Sequence, residues 1–210
     1  MTGPLLSRSR LLSRPIPKGA LLAISLLVLP LVFSVGAGFA DNRDETLTPQ
    51  PVELAADNDY VGVDGCRVCH SSQAKGNQYG KWREGLHSKA YETLGAAQAK
   101  EIAQEQVISD PQNADACLVC HVTGHDDPPE RKGEKYKLEE GVGCESCHGP
   151  GSAYKQITIM RDREQAIANG LLIPDEETCL RCHNDKSPTF KGFDYEEMYK
   201  KIAHPNPQKP

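Results

Sequence analysis

All eight cysteines of the chain lie in four copies of one short pattern, Cys-x-x-Cys-His. The copies are Cys66-Arg-Val-Cys69-His70, Cys117-Leu-Val-Cys120-His121, Cys144-Glu-Ser-Cys147-His148 and Cys179-Leu-Arg-Cys182-His183. In this pattern the two thiols add to the two vinyl groups of one haem, and the next histidine binds the iron. We therefore predict four covalently bound haem c groups, with the four motif histidines as proximal iron ligands.

Two other uses of paired cysteines compete with this interpretation: four-cysteine zinc sites and disulfides. Neither requires a histidine after the second cysteine. Yet a histidine follows all four pairs in a chain that holds only seven histidines. A redox-active Cys-x-x-Cys also normally occurs once in a domain rather than four times. The pattern therefore favours haem over both alternatives.

Four haems restrict what the chain can fold into. The motifs lie within about 150 residues, and the chain is only 6% aromatic and 38% hydrophobic, which is little material for an ordinary core. Because haem faces are large apolar surfaces, we expect the haems to form the core and the apo-chain not to fold. The first cysteines of successive motifs are 51, 27 and 35 residues apart, so the chain is not a simple tandem repeat.

Helical patterns separate the motifs and strand patterns are scarce, so we predict a mainly α fold with short helices, long loops and little or no sheet. One helix is predicted over residues 81–91, with His87 on its apolar face. Further helices are predicted over residues 96–107, 163–168 and 195–203, and after Asp175. Residues 125–133, with two prolines and many charges, are predicted to be a loop.

The first 40 residues have the composition of an export signal. Four basic residues precede the first acid, Asp41, and an apolar stretch covers residues 20–33. Gly38 and Ala40 form a small-residue cleavage pattern, so we expect processing before Asp41. The alternative is an uncleaved membrane anchor, because residues 20–40 are long enough to span a bilayer. In both cases we expect the rest of the chain to lie in the periplasm.

Removal of residues 1–40 takes away four positive charges and moves the formal net charge from −5 to −9. Haem propionates add further negative charge, so nucleic acid is excluded as a partner and a basic redox protein is favoured. Residues 41–58 are acidic and contain two prolines, which is typical of a flexible linker. This leaves residues 59–210 as the tetrahaem domain.

Three histidines are left for the distal faces of four irons, so at least one iron needs another ligand, water, a histidine from a neighbouring subunit, or none. His87 is the first candidate, because its apolar surroundings suit a haem face. His204 is the second, at the end of the last helix. His125 follows His121 by four residues and either binds another haem or is solvated. Met160 is a weaker candidate, because methionine usually serves packing.

Three stretches of the chain resemble the tetrahaem cytochrome c-554 family, named for the electron acceptor of hydroxylamine oxidoreductase in ammonia oxidisers. They are residues 82–94, 117–122 and 141–151, of which the last is the most specific, within a likeness that runs from Cys66 to His204. The resemblance implies a mainly helical, haem-packed fold in which stacked haems form an electron path. It also implies one high-spin haem without a strong sixth ligand.

The resemblance further implies roles for single histidines. His87 serves the fourth haem and His204 the third, while the second haem, bound by His121, is left open. Family members place the first haem's distal histidine shortly after Gly-Pro-Gly, but residues 152–163 of this chain contain no histidine. His125 or Met160 then takes that place, or the first haem is open as well.

These features predict a periplasmic carrier that passes electrons between a multihaem oxidoreductase and other redox proteins without transforming a bound substrate. One alternative is an enzyme that reduces nitric oxide, nitrite or hydroxylamine at an open haem. It needs substrate access and a proton donor, and the sequence reveals neither. Another is an electron-conducting subunit of a larger cytochrome assembly. Contact with a membrane is expected only if the N-terminal segment is not cleaved.

The haem count is directly testable by mass spectrometry of the mature protein. We expect four covalent haem additions on a chain that begins near Asp41, because every cysteine is used in a haem motif. Fewer additions, or bound zinc in their place, would overturn the interpretation.

Overall fold

The computed structural model of the chain describes residues 57–208. This part consists of ten short α-helices and four 3₁₀ turns joined by loops. Its residues form no strand, only one isolated bridge between Tyr60 and Lys132. The predicted mainly α fold is confirmed. The expected export signal, and the expected linker up to residue 56, lie outside the described residues.

None of the ten helices has more than nine residues, so each depends on tertiary contacts rather than on its own stability. In chain order they are α1 Val63–His70, α2 Gln78–Glu84, α3 Ala90–Thr93, α4 Ala97–Glu105, α5 Asp115–His121, α6 Cys144–His148, α7 Ile157–Met160, α8 Arg163–Ala168, α9 Glu176–Leu180 and α10 Tyr195–Ile202. The 3₁₀ turns are Gln73–Lys75, His87–Lys89, Pro129–Arg131 and Leu138–Glu140. Over residues 57–208, no helix is long and apolar enough to cross a membrane.

The single helix predicted over residues 81–91 is wrong. Helix α2 ends at Glu84, Gly85 is extended with φ −79° and ψ 169°, and a 3₁₀ turn begins at His87. Glycine favours such a break because it loses the most backbone freedom in a helix. The Ser88 hydroxyl stabilises the break by donating a hydrogen bond of 2.9 Å to the Gly85 carbonyl. The break therefore separates His87 from helix α2, and His87 lies in a 3₁₀ turn rather than on the face of one continuous helix.

The other predicted helices are confirmed as α4, α8, α9 and α10, with ends that differ by at most two residues. Side-chain caps fix three of their starts, among them that of α10, where the Asp194 carboxylate accepts a hydrogen bond from the Glu197 amide. Asp162 accepts hydrogen bonds from two backbone amides at the start of α8, and Asp175 forms a capping box with Thr178 at the start of α9. The predicted loop over residues 125–133 contains one 3₁₀ turn. Among the described residues, the first buried one along the chain is Asn58.

Apolar side chains alone make a small core. Its largest cluster consists of Leu94, Leu118 and Val122 with a few half-buried neighbours. No large side chain of the described residues is completely buried, whereas twelve large apolar ones are exposed, including Val68 at 82% and Leu86 at 84%. The polypeptide therefore leaves much apolar surface for other groups to cover, as the four haem motifs predict.

The segment of residues 141–151 connects distant parts of the chain. The Val142 amide donates a hydrogen bond of 3.0 Å to the His87 carbonyl, and the Trp82 indole donates one of 2.8 Å to the Val142 carbonyl. Gly141 has φ +67°, and a Cβ there would lie 2.9 Å from the His87 carbonyl oxygen. Glycine is thus required for the close approach of two backbone segments, which fixes the turn that carries His87.

Because side-chain packing is sparse, the fold should depend on the covalent prosthetic groups. A variant with all eight cysteines changed to serine should lack a cooperative unfolding transition and be degraded quickly by protease. Circular dichroism and limited proteolysis would measure this. Val107→Ser, at a side chain that is 94% exposed, is the matched control and should behave like the native protein. A cooperative transition in the cysteine-free chain would contradict this expectation.

Candidate haem sites

The first three motifs end three helices. Helices α1, α5 and α6 each finish on the motif histidine, at His70, His121 and His148. In a helix, residues three and four apart lie on one side, so both cysteines and the histidine face the same direction. The fourth motif begins in α9 and continues into the next turn, where the Cys182 and His183 amides both donate to the Cys179 carbonyl. All four motifs therefore present the arrangement that haem attachment needs.

None of the eight cysteines forms a disulfide. Between residues 57 and 208, no group of three or more histidine, cysteine or acidic side chains is arranged to hold a metal ion directly.

Backbone carbonyls orient three of the histidine rings. His121 Nδ1 lies 2.7 Å from the Ala90 oxygen, and His148 Nδ1 lies 3.1 Å from the Leu172 oxygen. His204 Nδ1 has the same kind of partner, the oxygen of Ile202, at 2.8 Å. A carbonyl only accepts hydrogen bonds, so Nδ1 carries the proton in each ring and Nε2 keeps a free lone pair. This tautomer is the one that binds iron through Nε2.

Two distal candidates face two proximal histidines. The ring centroids of His87 and His183 are 6.0 Å apart with an interplanar angle of 66°, and those of His148 and His204 are 6.1 Å apart at 76°. An iron bound by two imidazoles at about 2 Å on each side holds the two ring centres roughly 6 Å apart. The observed separations therefore fit a haem iron between the rings of each pair.

Burial favours the neutral form of these imidazoles. It lowers the pKa of His148 and of His183, and it lowers the pKa of His87, with His183 as a further cause. It also lowers the pKa of His70. In each case removal from water disfavours the charged ring. The neutral imidazole is the form that binds a metal, so the electrostatics agree with the tautomers.

The structure brings neither His125 nor Met160 into a comparable pair. His125 Nε2, the atom that would bind iron, lies 2.8 Å from the Asp115 carboxylate at the start of α5. Met160 is the half-buried last residue of α7. In the first motif, the proximal candidate His70 has the Gln78 side chain as a neighbour.

Several features of the site were not identified from the sequence. The Phe193 ring stacks on His183 at 4.9 Å and 22°, which fixes the orientation of that imidazole. The carbonyls of Ala90 and Leu172 orient two other rings. No sequence pattern marks a backbone carbonyl, and Phe193 lies in a loop without periodicity, so these contacts become visible only in three dimensions.

The cysteines also reveal which motifs are neighbours. The thiols of Cys66 and Cys144 lie next to each other, and this proximity together with burial raises the pKa of Cys66. Burial and the nearby Cys120 thiol raise the pKa of Cys182 to about 12. Cys147 interacts with Cys179. These thiols stand for the thioether sulfurs of attached haems, so the first motif adjoins the third, the third the fourth, and the fourth the second.

Residues 65–149 match the family model described as cytochrome c554 and c-prime. The chain is also 33% identical over 164 residues to cytochrome c-554 of Nitrosomonas europaea, an alignment that covers 66% of this chain and 64% of the relative. The chain thus spans less than two thirds of that relative's length. No solved structure gives a significant match.

The matched residues contain the first three motifs, the His87 turn and most of the 141–151 segment, up to Gly149. The fourth motif with His183, and His204, lie outside the match, so each of the two histidine pairs has one member inside the matched region. Over residues 65–149 the chain is similar to the cytochrome c-554 family of c-type cytochromes.

Proposed function

We propose that the chain is a periplasmic electron carrier that holds four covalent haem c groups. The observation that carries the proposal is the pairing of His87 with His183 and of His204 with His148 at the spacing that a six-coordinate haem iron needs. Six-coordinate irons have no free position for a substrate and suit electron transfer. When bound, the haems supply one-electron chemistry, while the protein supplies attachment, axial ligands and burial.

The proposed site assignments follow the four motifs. The eight motif cysteines attach the haems, and His70, His121, His148 and His183 are the proximal ligands. His87 is the distal ligand of haem 4 and His204 that of haem 3. With these two histidines engaged and His125 bound to Asp115, no histidine of the chain is left for haem 2 or haem 1. Met160 is then the remaining residue of the chain proposed for haem 1.

The cysteine contacts support one path through the molecule. They connect motif 1 to motif 3, motif 3 to motif 4, and motif 4 to motif 2. Electrons would therefore enter or leave at haem 1 and haem 2 and pass through the two bis-histidine haems between them. Haems 3 and 4, with a histidine on each side of the iron, have no free position for a substrate, which suits the middle of such a path.

The proposed partners are other redox proteins. The net charge of −9 after removal of residues 1–40 favours a basic docking surface on the partner, and the family resemblance favours a multihaem oxidoreductase as the electron donor. The export-signal pattern supports a periplasmic location.

The ligand assignment can be tested by changing the distal histidine of haem 4. His87→Ala should convert one low-spin haem to high spin without loss of covalent haem, because the motif cysteines stay intact. EPR of the oxidised protein counts the haems by spin state, and mass spectrometry confirms that all of them are present. His125→Ala is the matched control and should leave the low-spin count unchanged. An unchanged spectrum for His87→Ala would refute the assignment.

One observation favours a second function. His121 has a free Nε2 but no histidine partner, so its haem would keep an open position at which nitric oxide, nitrite or hydroxylamine could be reduced. Steady-state assays with chemically reduced protein distinguish the two functions. We expect turnover of these compounds no faster than by free haem, together with rapid electron exchange with a multihaem oxidoreductase. Faster turnover, lost on blocking the open haem with cyanide, would favour the enzyme.

A further inference from the structure

A carboxylate lies buried inside the third haem motif. Glu145 is between Cys144 and Cys147, and only 5% of its surface is exposed. Its Oε1 accepts hydrogen bonds from the amides of Val61 at 2.9 Å and Gly151 at 2.7 Å. Its Oε2 accepts from the Val61 amide at 3.1 Å and the Gly62 amide at 2.9 Å. The Glu145 side chain thus connects the residues just before α1, the helix that carries the first motif, with the third motif and with Gly151 shortly after it.

The hydrogen bonds of Glu145 identify its charge state. All its partners are N–H donors, and a protonated carboxyl group would need an acceptor for its own proton. Burial raises the pKa of the Glu145 carboxyl, whereas the backbone donors lower it, and a second carboxylate, Glu140, raises it. Amide dipoles rather than a basic side chain stabilise the charge, so its field is not cancelled by a cation at the same place.

Two haem attachment points lie beside this charge. Glu145 acts electrostatically on the thiols of Cys66 and Cys144, which contact each other, and on the buried Tyr154 phenol. Cys66 belongs to the first motif and Cys144 to the third. No other motif carries an acid between its two cysteines: the corresponding pairs are Arg-Val, Leu-Val and Leu-Arg. The charge is therefore specific to the neighbourhood of haems 1 and 3.

We propose that the Glu145 carboxylate is a positioning and electrostatic residue that clamps the first haem motif to the third and selectively lowers the reduction potentials of haems 1 and 3. The inference rests on the proposed function, because it requires haem at both motifs. Reduction adds one electron to each iron, from Fe(III) to Fe(II), and removes one positive charge from the site. A fixed negative charge close by stabilises the ferric form more than the ferrous form, so the potential falls.

The decisive variant is Glu145→Gln, which keeps the size of the side chain and removes its charge. We expect the potentials of two of the four haems to shift upward in a dithionite titration followed by optical and EPR spectroscopy, with the other two unchanged. Glu139→Gln removes one charge from an exposed position six residues away and should leave all four potentials unchanged. Glu140→Gln removes a second charge near the same two thiols, from a carboxylate that accepts a hydrogen bond from the Val63 amide, and should shift the potentials less than Glu145→Gln does.

Several outcomes would overturn the inference. They are unchanged potentials in a fully loaded Glu145→Gln protein, an equal shift of all four haems, or an equal upward shift in Glu140→Gln. The proposed function is tested separately, because the native protein must carry four haems by mass spectrometry and be fully reduced in the same titration. If it does not, the proposed function is wrong, whatever the role of Glu145.

Glu145→Gln replaces an acceptor oxygen with an amide donor that faces other donors, so this variant could fail to mature. In that case the proposal is tested by infrared difference spectra of the native protein, reduced minus oxidised. We expect an ionised carboxylate band that changes as haems 1 and 3 are reduced and that persists in Glu139→Gln and Glu140→Gln. A spectrum without such a carboxylate change would contradict the proposal.

Discussion

The described part of the protein has only a small core of packed side chains, so other interactions must hold it together. The rest of the structure depends on this constraint. Among residues 57–208 no large side chain is completely buried, and no helix exceeds nine residues. What connects the parts of the chain is a set of backbone hydrogen bonds that converge on the 141–151 segment. This segment binds the His87 turn through Val142 and the start of α1 through Glu145. A polypeptide of this kind acts as a frame for cofactors whose own surfaces complete the apolar interior.

The polypeptide also determines the tautomers and the charge states of its histidine rings. Backbone carbonyls fix the proton on Nδ1 of His121, His148 and His204, and burial keeps other rings neutral. Both effects prepare Nε2 for iron before any metal is bound, so less reorganisation is needed on binding. The backbone groups whose hydrogen bonds hold the chain together therefore also position the histidine ligands.

Prediction from the sequence was reliable where local chemistry decides and failed where packing decides. Helices α4, α8, α9 and α10 have strong caps or periodic patterns, and their positions were predicted to within two residues. The helix predicted over residues 81–91 had a regular apolar pattern, yet Gly85 breaks it, because contacts of Val142 and Trp82 with this region outweigh the helical periodicity. The 141–151 segment was recognised as the most specific stretch of the resemblance, but the contact of its Gly141 with the backbone of His87 is visible only in the fold.

The sequence by itself determined the cofactor chemistry. Paired cysteines followed by histidine are a local covalent pattern, and a count of seven histidines already excludes four equivalent bis-histidine irons within one chain. The tertiary structure decided which histidines face each other, which motifs are neighbours, and that Glu145 is buried between two of them. These relations join residues that are far apart in the sequence, 96 and 56 positions in the two histidine pairs, and no local pattern encodes a contact over such a distance. They follow from the three-dimensional path of the backbone, which the loops between the short helices determine.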